Sequence, residues 1–213
     1  MSERGRFITI EGVEGAGKST VIDAVRGHLA ARRCGVIVTR EPGGTEMGEA
    51  LRDLLLQPRE SGSLVADAEL LMMMAARAQH IAEVIEPALA RGNWVVCDRF
   101  ADATYAYQGF GRGLDADWIA MLERRVQGEL IPDLTLLLDV PVEQGRRRAL
   151  GRGETDRFER ETNSFFERVR AGYEQRCHQA PARIQPIDAS RDPEAVACDV
   201  IARIEALVND GNR

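Results

Sequence analysis

Gly12-Val13-Glu14-Gly15-Ala16-Gly17-Lys18-Ser19-Thr20 follows the apolar run Phe7–Ile10 and opens a stretch of helical spacing, Ser19–Arg33. It is a full G-x-x-x-x-G-K-[ST] phosphate loop, in the strand-before, helix-after setting that its chemistry requires. The glycines let the backbone curl until successive N–H groups point inward at phosphate oxygens, and the helix adds its positive N-terminal end. All nine residues, Gly12 to Thr20, are therefore expected to cradle ATP. Lys18 is expected to reach the β- and γ-phosphates, and the Ser19 hydroxyl to ligate Mg²⁺. Composition singles out the lysine as well. The 213 residues include 28 Lys and Arg, and every one except Lys18 is Arg. An ammonium point charge and a planar guanidinium are not interchangeable in a tight phosphate cradle.

Working outward from the loop, short β-rich apolar runs alternate with helical patterns. The runs are Phe7–Ile10, Val36–Thr39, Trp94–Cys97, Leu134–Leu138 and Ile184–Ile187. Helical spacing is expected over Ser19–Arg33, Thr45–Leu56, Ala66–Arg91, Asp115–Gly128, Val142–Leu150, Phe158–His178 and Asp192–Val208. Strands alternating with helices imply right-handed crossovers and a parallel sheet covered on both faces. The expected fold is therefore α/β, a three-layer P-loop NTPase architecture with a five-stranded parallel sheet. No linker divides the chain, so residues 1–213 are expected to form one domain. Ligands of such sheets sit beyond the carboxyl ends of the strands. Four of the five expected strands end there in polar groups: Glu11, Arg40, Asp98-Arg99 and Asp139.

Charge and composition exclude several classes. A net charge of −6 argues against a nucleic-acid surface, though a local arginine cluster can still hold a small phosphorylated ligand. The segment Met1–Arg6 lacks an apolar signal region, and no apolar run approaches the ~20 residues of a membrane span. Cys34, Cys97, Cys177 and Cys198 lack metal-ligand spacing and suit free thiols in a reducing compartment. A cytoplasmic protein that touches neither membrane nor nucleic acid is expected. His28, His80 and His178 sit in helical patterns without partners at ligand spacing and are expected to be packing or surface residues.

A phosphate loop specifies a nucleotide but not a reaction. A GTPase switch carries an Asn-Lys-x-Asp motif, which a chain whose one lysine is Lys18 cannot have. Small phosphoryl-transfer enzymes remain, and several segments suit a second substrate. Thr39-Arg40-Glu41-Pro42-Gly43-Gly44-Thr45 places charge at a strand end, and Arg52 and Arg77 lie on the two helices that follow. A polar, aromatic loop is expected over Thr104-Tyr105-Ala106-Tyr107-Gln108-Gly109. Singly, each arginine is explained as well by a solvated helix face. Asp98, an acidic end to an apolar strand beside a phosphate loop, is a stronger candidate for holding Mg²⁺.

Taken in order and at their spacing, GVEGAGKST, TREPGG, LMMMAAR, DRF, TYAYQG and the basic stretch Arg146–Arg157 resemble bacterial thymidylate kinases over nearly the whole chain. The resemblance implies ATP and dTMP as substrates, dTDP as product, Mg²⁺, a mobile lid and a homodimer. It further implies that Glu14 faces the deoxyribose and acceptor phosphate, while Glu41, Arg52 and Arg99 hold or neutralise that phosphate. By the same resemblance Arg77 bonds the thymine carbonyl, Thr104 and Gln108 read the base edge, and the Tyr105–Tyr107 stretch shapes the sugar pocket. Met73 stands where the family usually has a stacking Phe. A thioether packs on a ring face less rigidly, and a plain helix-core role for Met72–Met74 remains open.

The segment from Arg146 to Arg157 holds five arginines and two glycines in twelve positions. Arg146 and Arg147 suit a helix C-terminus. The Gly-Arg-Gly run beyond suits a lid, expected at about residues 146–160, that delivers positive charge to the transferring group. Arg152 and Arg157 are accordingly expected to be catalytic, with Lys18 and Arg99. The competing readings are a related kinase for another monophosphate and an ATP-dependent switch protein.

Overall fold

A computed structural model describes residues 4–57, 64–151 and 156–210. Five parallel strands, β1 (Phe7–Glu11), β2 (Val36–Arg40), β3 (Trp94–Asp98), β4 (Leu134–Asp139) and β5 (Ile184–Asp188), form one sheet in the order β2-β3-β1-β4-β5. Each strand runs one residue beyond the apolar stretch seen in the sequence, because the polar terminal residue still pairs: Ile10 with Asp98, Arg40 with Asp98, Asp139 with Asp188. The central strand β1 is buried throughout, as a strand covered on both faces must be, whereas the edge strand β2 is at most half-buried. Pro186, which cannot donate to a ladder, lies in the other edge strand, β5. Since all strands run the same way, Glu11, Arg40, Asp98, Asp139 and Asp188 gather at one edge.

Helices α1 (Lys18–Ala31), α2 (Glu46–Leu56), α3 (Ala66–His80), α4 (Glu86–Ala90), α5 (Ala101–Thr104), α6 (Ala116–Gln127), α7 (Val142–Leu150), α8 (Asn163–Gln179) and α9 (Pro193–Asp210) surround the sheet. Two clusters of buried apolar side chains meet its faces. One runs from Ile8 and Ile10 to Phe165, Phe166 and Val200, and the other from Phe7 and Val95 to Ile85 and Phe100.

Three expectations are corrected. The pattern Ala66–Arg91 is not one helix: a π-helical turn, Ile81–Ile85, separates α3 from α4. Pro87, at the start of α4, has no N–H to donate and would crowd the carbonyl four residues back, so the ladder re-phases ahead of it. The segment expected as a loop is helical, with α5 running on into a π-helix, Tyr105–Gly111. The helix α8 begins at Asn163 rather than near Phe158, because the Thr162 hydroxyl caps it by accepting from the Phe165 N–H.

Candidate active site

One cleft lies beyond the carboxyl ends of β1, β2 and β3. Its walls include Glu14, Gly15, Gly17, Lys18 and Ser19 of the loop, Glu41 and Arg52, Met73 and Arg77 of α3, and Asp98 with Arg99. Thr104, Tyr107 and Gln108 close the far side. Most residues singled out in the sequence therefore converge. Gly12, Val13 and Ala16 form the buried underside of the loop, and Thr20 lies exposed in the first turn of α1.

The loop is built for an anion. Gly15 and Gly17 take left-handed backbone angles, φ +74° and +93°. The Gly17 cap position offers α1 no side-chain cap, and its first turn has no acidic residue, so orphan N–H groups stay available to a ligand. The Lys18 ammonium donates to the carbonyls of Gly12 and Val13, both at 3.2 Å. Enclosure, helped by the nearby Arg99 guanidinium and opposed by Asp98, Glu14 and Glu11, pushes its pKa down to about 8.

Arg99 follows β3 with φ +69°, a left-handed conformation that is costly for a residue with a side chain. The turn folds its guanidinium back over the loop. Nη1 donates to Gly12 O (2.8 Å) and to the Tyr173 hydroxyl (3.1 Å), and Nη2 to Glu14 (2.9 Å). The Tyr107 hydroxyl also donates to Glu14, at 2.7 Å to Oε2, and the Tyr107 ring lies 4.8 Å from the Arg99 guanidinium. Burial opposes the Arg99 charge, but Tyr107, Glu14, Tyr173 and Asp98 together hold it well above the ordinary guanidinium pKa.

Beneath this layer Glu11 is fully buried. It accepts from the Phe100 N–H (2.7 Å) and the Tyr173 hydroxyl (2.9 Å). Burial, with Asp102 adding and Arg99, Tyr173 and the Phe100 N–H opposing, pushes its pKa up to about 8.

Across the cleft from the loop, Glu41 is joined to Pro42 by a cis peptide and binds Arg77 Nε at 2.7 Å and His80 Nδ1 at 3.0 Å. The His80 ring reaches Thr39 through its other nitrogen, at 2.6 Å. The expectation of a plain packing or surface histidine is thus corrected: His80 bridges the end of β2 to α3. His28 likewise has a partner, Glu205, at 2.7 Å. Arg77 Nη2 donates to the Thr104 hydroxyl at 2.9 Å, and the guanidinium lies 4.9 Å from the Phe100 ring. Arg52 donates to Pro42 O at 2.9 Å. Burial and the charges of Arg40 and Arg99 lower its pKa, an unfavourable field that an anion between them would relieve. Met73 is half-buried on the cleft wall while Met74 is in the core, so the methionine run divides between the two roles considered for it.

Two expected site residues lie elsewhere. Tyr105 and Tyr107 are two positions apart on a helix and face opposite ways. The Tyr105 hydroxyl donates to Glu123 at 2.5 Å and its ring lies 4.1 Å from the Arg176 guanidinium, outside the cleft lining. Arg157 is folded down rather than presented. Its Nη2 pairs with buried Glu69 at 2.7 Å, its Nε donates to Leu55 O at 2.7 Å, and its guanidinium lies 4.4 Å from the Phe158 ring. Arg152, the other arginine expected on a lid, lies outside the described residues. Glu69 and Tyr173 were not singled out in the sequence, and Glu11 was noted only as a polar strand end. Their role depends on what α3, α8 and β1 bring together, which spacing in the chain does not show.

The chain matches the family model described as thymidylate kinase over residues 10–200. It is 59% identical over 201 residues to a thymidylate kinase of Chromohalobacter salexigens, covering 94% of this chain and 95% of that protein. It is 55% identical over 204 residues to one of Pseudomonas putida strain F1, covering 96% and 97%. The crystal structure of thymidylate kinase from Ehrlichia chaffeensis superposes with a TM-score of 0.78 at 31% identity, over 94% of this chain and 99% of that one.

Proposed function

The chain belongs to the thymidylate kinase family, and we propose that its cleft moves the terminal phosphoryl group of ATP onto dTMP, releasing ADP and dTDP. It is a nucleoside-monophosphate kinase, and the reading is carried by one observation. The phosphate loop with Lys18 and the acceptor-side groups Arg52, Arg77, Arg99, Thr104 and Gln108 line a single cleft.

The chemistry needs little beyond position and charge. The acceptor phosphate is already an anion, so no general base has to deprotonate it. Lys18 and the N-terminal amides of α1 would hold the donor phosphates, and Arg52 and Arg99 the acceptor phosphate, bringing the reacting groups into line. Glu14 fixes Arg99 and Tyr107 against each other. Arg77 and Thr104 would address the base, with Met73 against its face. Arg152 is the lid arginine to which we assign transition-state charge; Arg152→Ala should lower kcat more than it weakens dTMP binding.

The family uses Mg²⁺ with ATP, and the residues present fit it. Asp98 Oδ1 is buried and has no hydrogen-bond partner among the described residues, beside Lys18 and Ser19 on the cleft wall. A hydrated cation supplies such a partner. Among the described residues no three His, Cys, Asp or Glu side chains gather as a metal cage. That suits Mg²⁺ held by Ser19 and Asp98 with phosphate oxygens and water. Bound there, the ion would neutralise charge on the transferring group.

Two further inferences concern setting. No described helix is long and apolar enough to cross a membrane, and we place the enzyme in the cytoplasm. We also infer a homodimer, supported by apolar residues left about half exposed on neighbouring helices: Met47 on α2, Leu71 on α3 and Met121 on α6.

The deciding assay measures ADP release, coupled to an indicator enzyme, with dTMP, dUMP, CMP and AMP as acceptors. dTMP should give the highest kcat/KM. Preference for another monophosphate would replace the substrate, and ATP hydrolysis indifferent to all four would replace the kinase reading by a switch protein.

A further inference from the structure

Glu69 is a carboxylate with no exposed surface, at the start of α3 and behind the far wall of the cleft. It accepts from two side chains of one segment, Gln108 Nε2 at 2.7 Å and Arg112 Nε at 3.2 Å, and forms an ion pair with a third from another, Arg157 Nη2 at 2.7 Å. Two guanidinium partners satisfy its charge and would make it a sufficient structural hub. The third partner is different, because Gln108 also lines the cleft.

A glutamine amide has a donor end and an acceptor end, and rotation by half a turn exchanges them. A carboxylate flanked by two guanidinium groups only accepts. Its partner on Gln108 must therefore be the amide nitrogen, because the reverse orientation would set the amide oxygen against a carboxylate oxygen in a buried place. The far end of that amide, the oxygen, is then the end available to a ligand. Resting on the assignment of this cleft to a pyrimidine monophosphate, we propose that Glu69 is the positioning residue that fixes the Gln108 amide with its oxygen toward the base and so helps the enzyme select thymine over cytosine.

The chemistry of the two bases makes this a sharp filter. Thymine carries a donor, N3–H, next to the acceptor O4. Cytosine carries an acceptor, N3, next to the amino donor N4. A fixed amide oxygen matches thymine N3–H and repels cytosine N3. Arg77, whose guanidinium can only donate, matches O4 and opposes the cytosine amino group. Sites that leave a buried polar group unpaired with the wrong substrate discriminate far better than apolar pockets do. Uracil shares the thymine edge and differs by the methyl group, so Glu69 has no part in excluding it.

The test is steady-state kinetics on three acceptors, dTMP, dCMP and dUMP, with wild type, Glu69→Gln, Gln108→Leu and the exchange Glu69→Gln/Gln108→Glu. In Glu69→Gln the amide at position 108 loses its fixed partner and can turn. The dTMP-to-dCMP ratio of kcat/KM should fall by about tenfold or more, chiefly through KM for dTMP, while the dTMP-to-dUMP ratio stays put. The exchange variant keeps one carboxylate and one amide but swaps their places. An acceptor oxygen again faces the base, and the thymine-over-cytosine ratio should recover toward wild type. The exchange also stands in if Glu69→Gln alone does not fold, its ratio then being read against wild type. A merely structural Glu69 would lower melting temperature and depress dTMP and dCMP turnover together; an unchanged ratio in Glu69→Gln, or no recovery in the exchange, overturns the proposal. Gln108→Leu separates the two levels. If it leaves dTMP kinetics untouched, Gln108 does not meet the base and the assignment of the cleft fails. If it weakens dTMP while Glu69→Gln leaves the ratio intact, only the role of Glu69 fails.

Discussion

Lys18 is the residue whose chemistry was most legible in the chain and whose environment was least so. The motif named it, but its half-buried place beside Arg99 and its depressed pKa of about 8 come from β3 folding an arginine back over the loop. Lys18→Ala should cut turnover by at least about 10²-fold while the melting temperature of the free enzyme holds, because an enclosed charge has been removed. In the wild type, kcat/KM for ATP should fall about tenfold per pH unit above roughly pH 8, where free enzyme loses the Lys18 proton. A flat profile to pH 9 would show that Lys18 keeps its proton through that range. Glu11 gives a second pH test, on stability. Its folded pKa of about 8 lies above the ordinary 4.5, so the folded state holds a proton that the unfolded state releases. The resulting stability is complete below pH 4.5 and is lost as pH rises through 8. Urea unfolding should show this decline, of up to about 1.4 kcal/mol per pH unit, in wild type and not in Glu11→Gln. Equal slopes would show that Glu11 does not titrate there.

At the scale of elements, the helical pattern named α1, α2, α6, α7 and α9 within a residue or two at most ends, and it missed the π-helix Tyr105–Gly111. The sequence TYAYQGFG has poor helix propensity, with three aromatics and two glycines. What holds it is contact with α8. A Cβ added at Gly172 would lie 2.9 Å from Ala106 Cα and from the Phe110 ring, and one at Gly111 2.6 Å from Phe165. Those glycines let two helices touch closely enough for tertiary packing to override propensity. Gly172→Ala should destabilise the fold by about 1–3 kcal/mol, seen as a lower melting temperature. It should also raise KM for dTMP, because the displaced segment carries Tyr107 and Gln108 into the cleft. A stable variant with unchanged KM would mean the segment shifts freely.

At the scale of the whole molecule, Met47, Leu71 and Met121 place apolar surface on α2, α3 and α6, and light scattering should give twice the 23.5 kDa chain mass. A monomer at micromolar concentration would refute the dimer. The sheet itself was legible because β1, β3 and β4 are short apolar runs bounded by helical patterns, a signal that burial on both faces imposes directly on residue type. The phosphate loop was legible because its glycines and lysine are required by local backbone geometry. Local constraints of this kind write themselves into consecutive residues, and they determined the fold class, the nucleotide loop and the edge of the sheet where ligands lie. Partnership across the fold leaves no such record. That Arg157 binds Glu69, that Tyr105 turns away while Tyr107 faces Glu14, and that His80 bridges Thr39 and Glu41 were decided by tertiary structure. Each depends on two or three side chains distant in sequence meeting at one buried or half-buried charge, and such a charge selects its partners by proximity in space rather than along the chain.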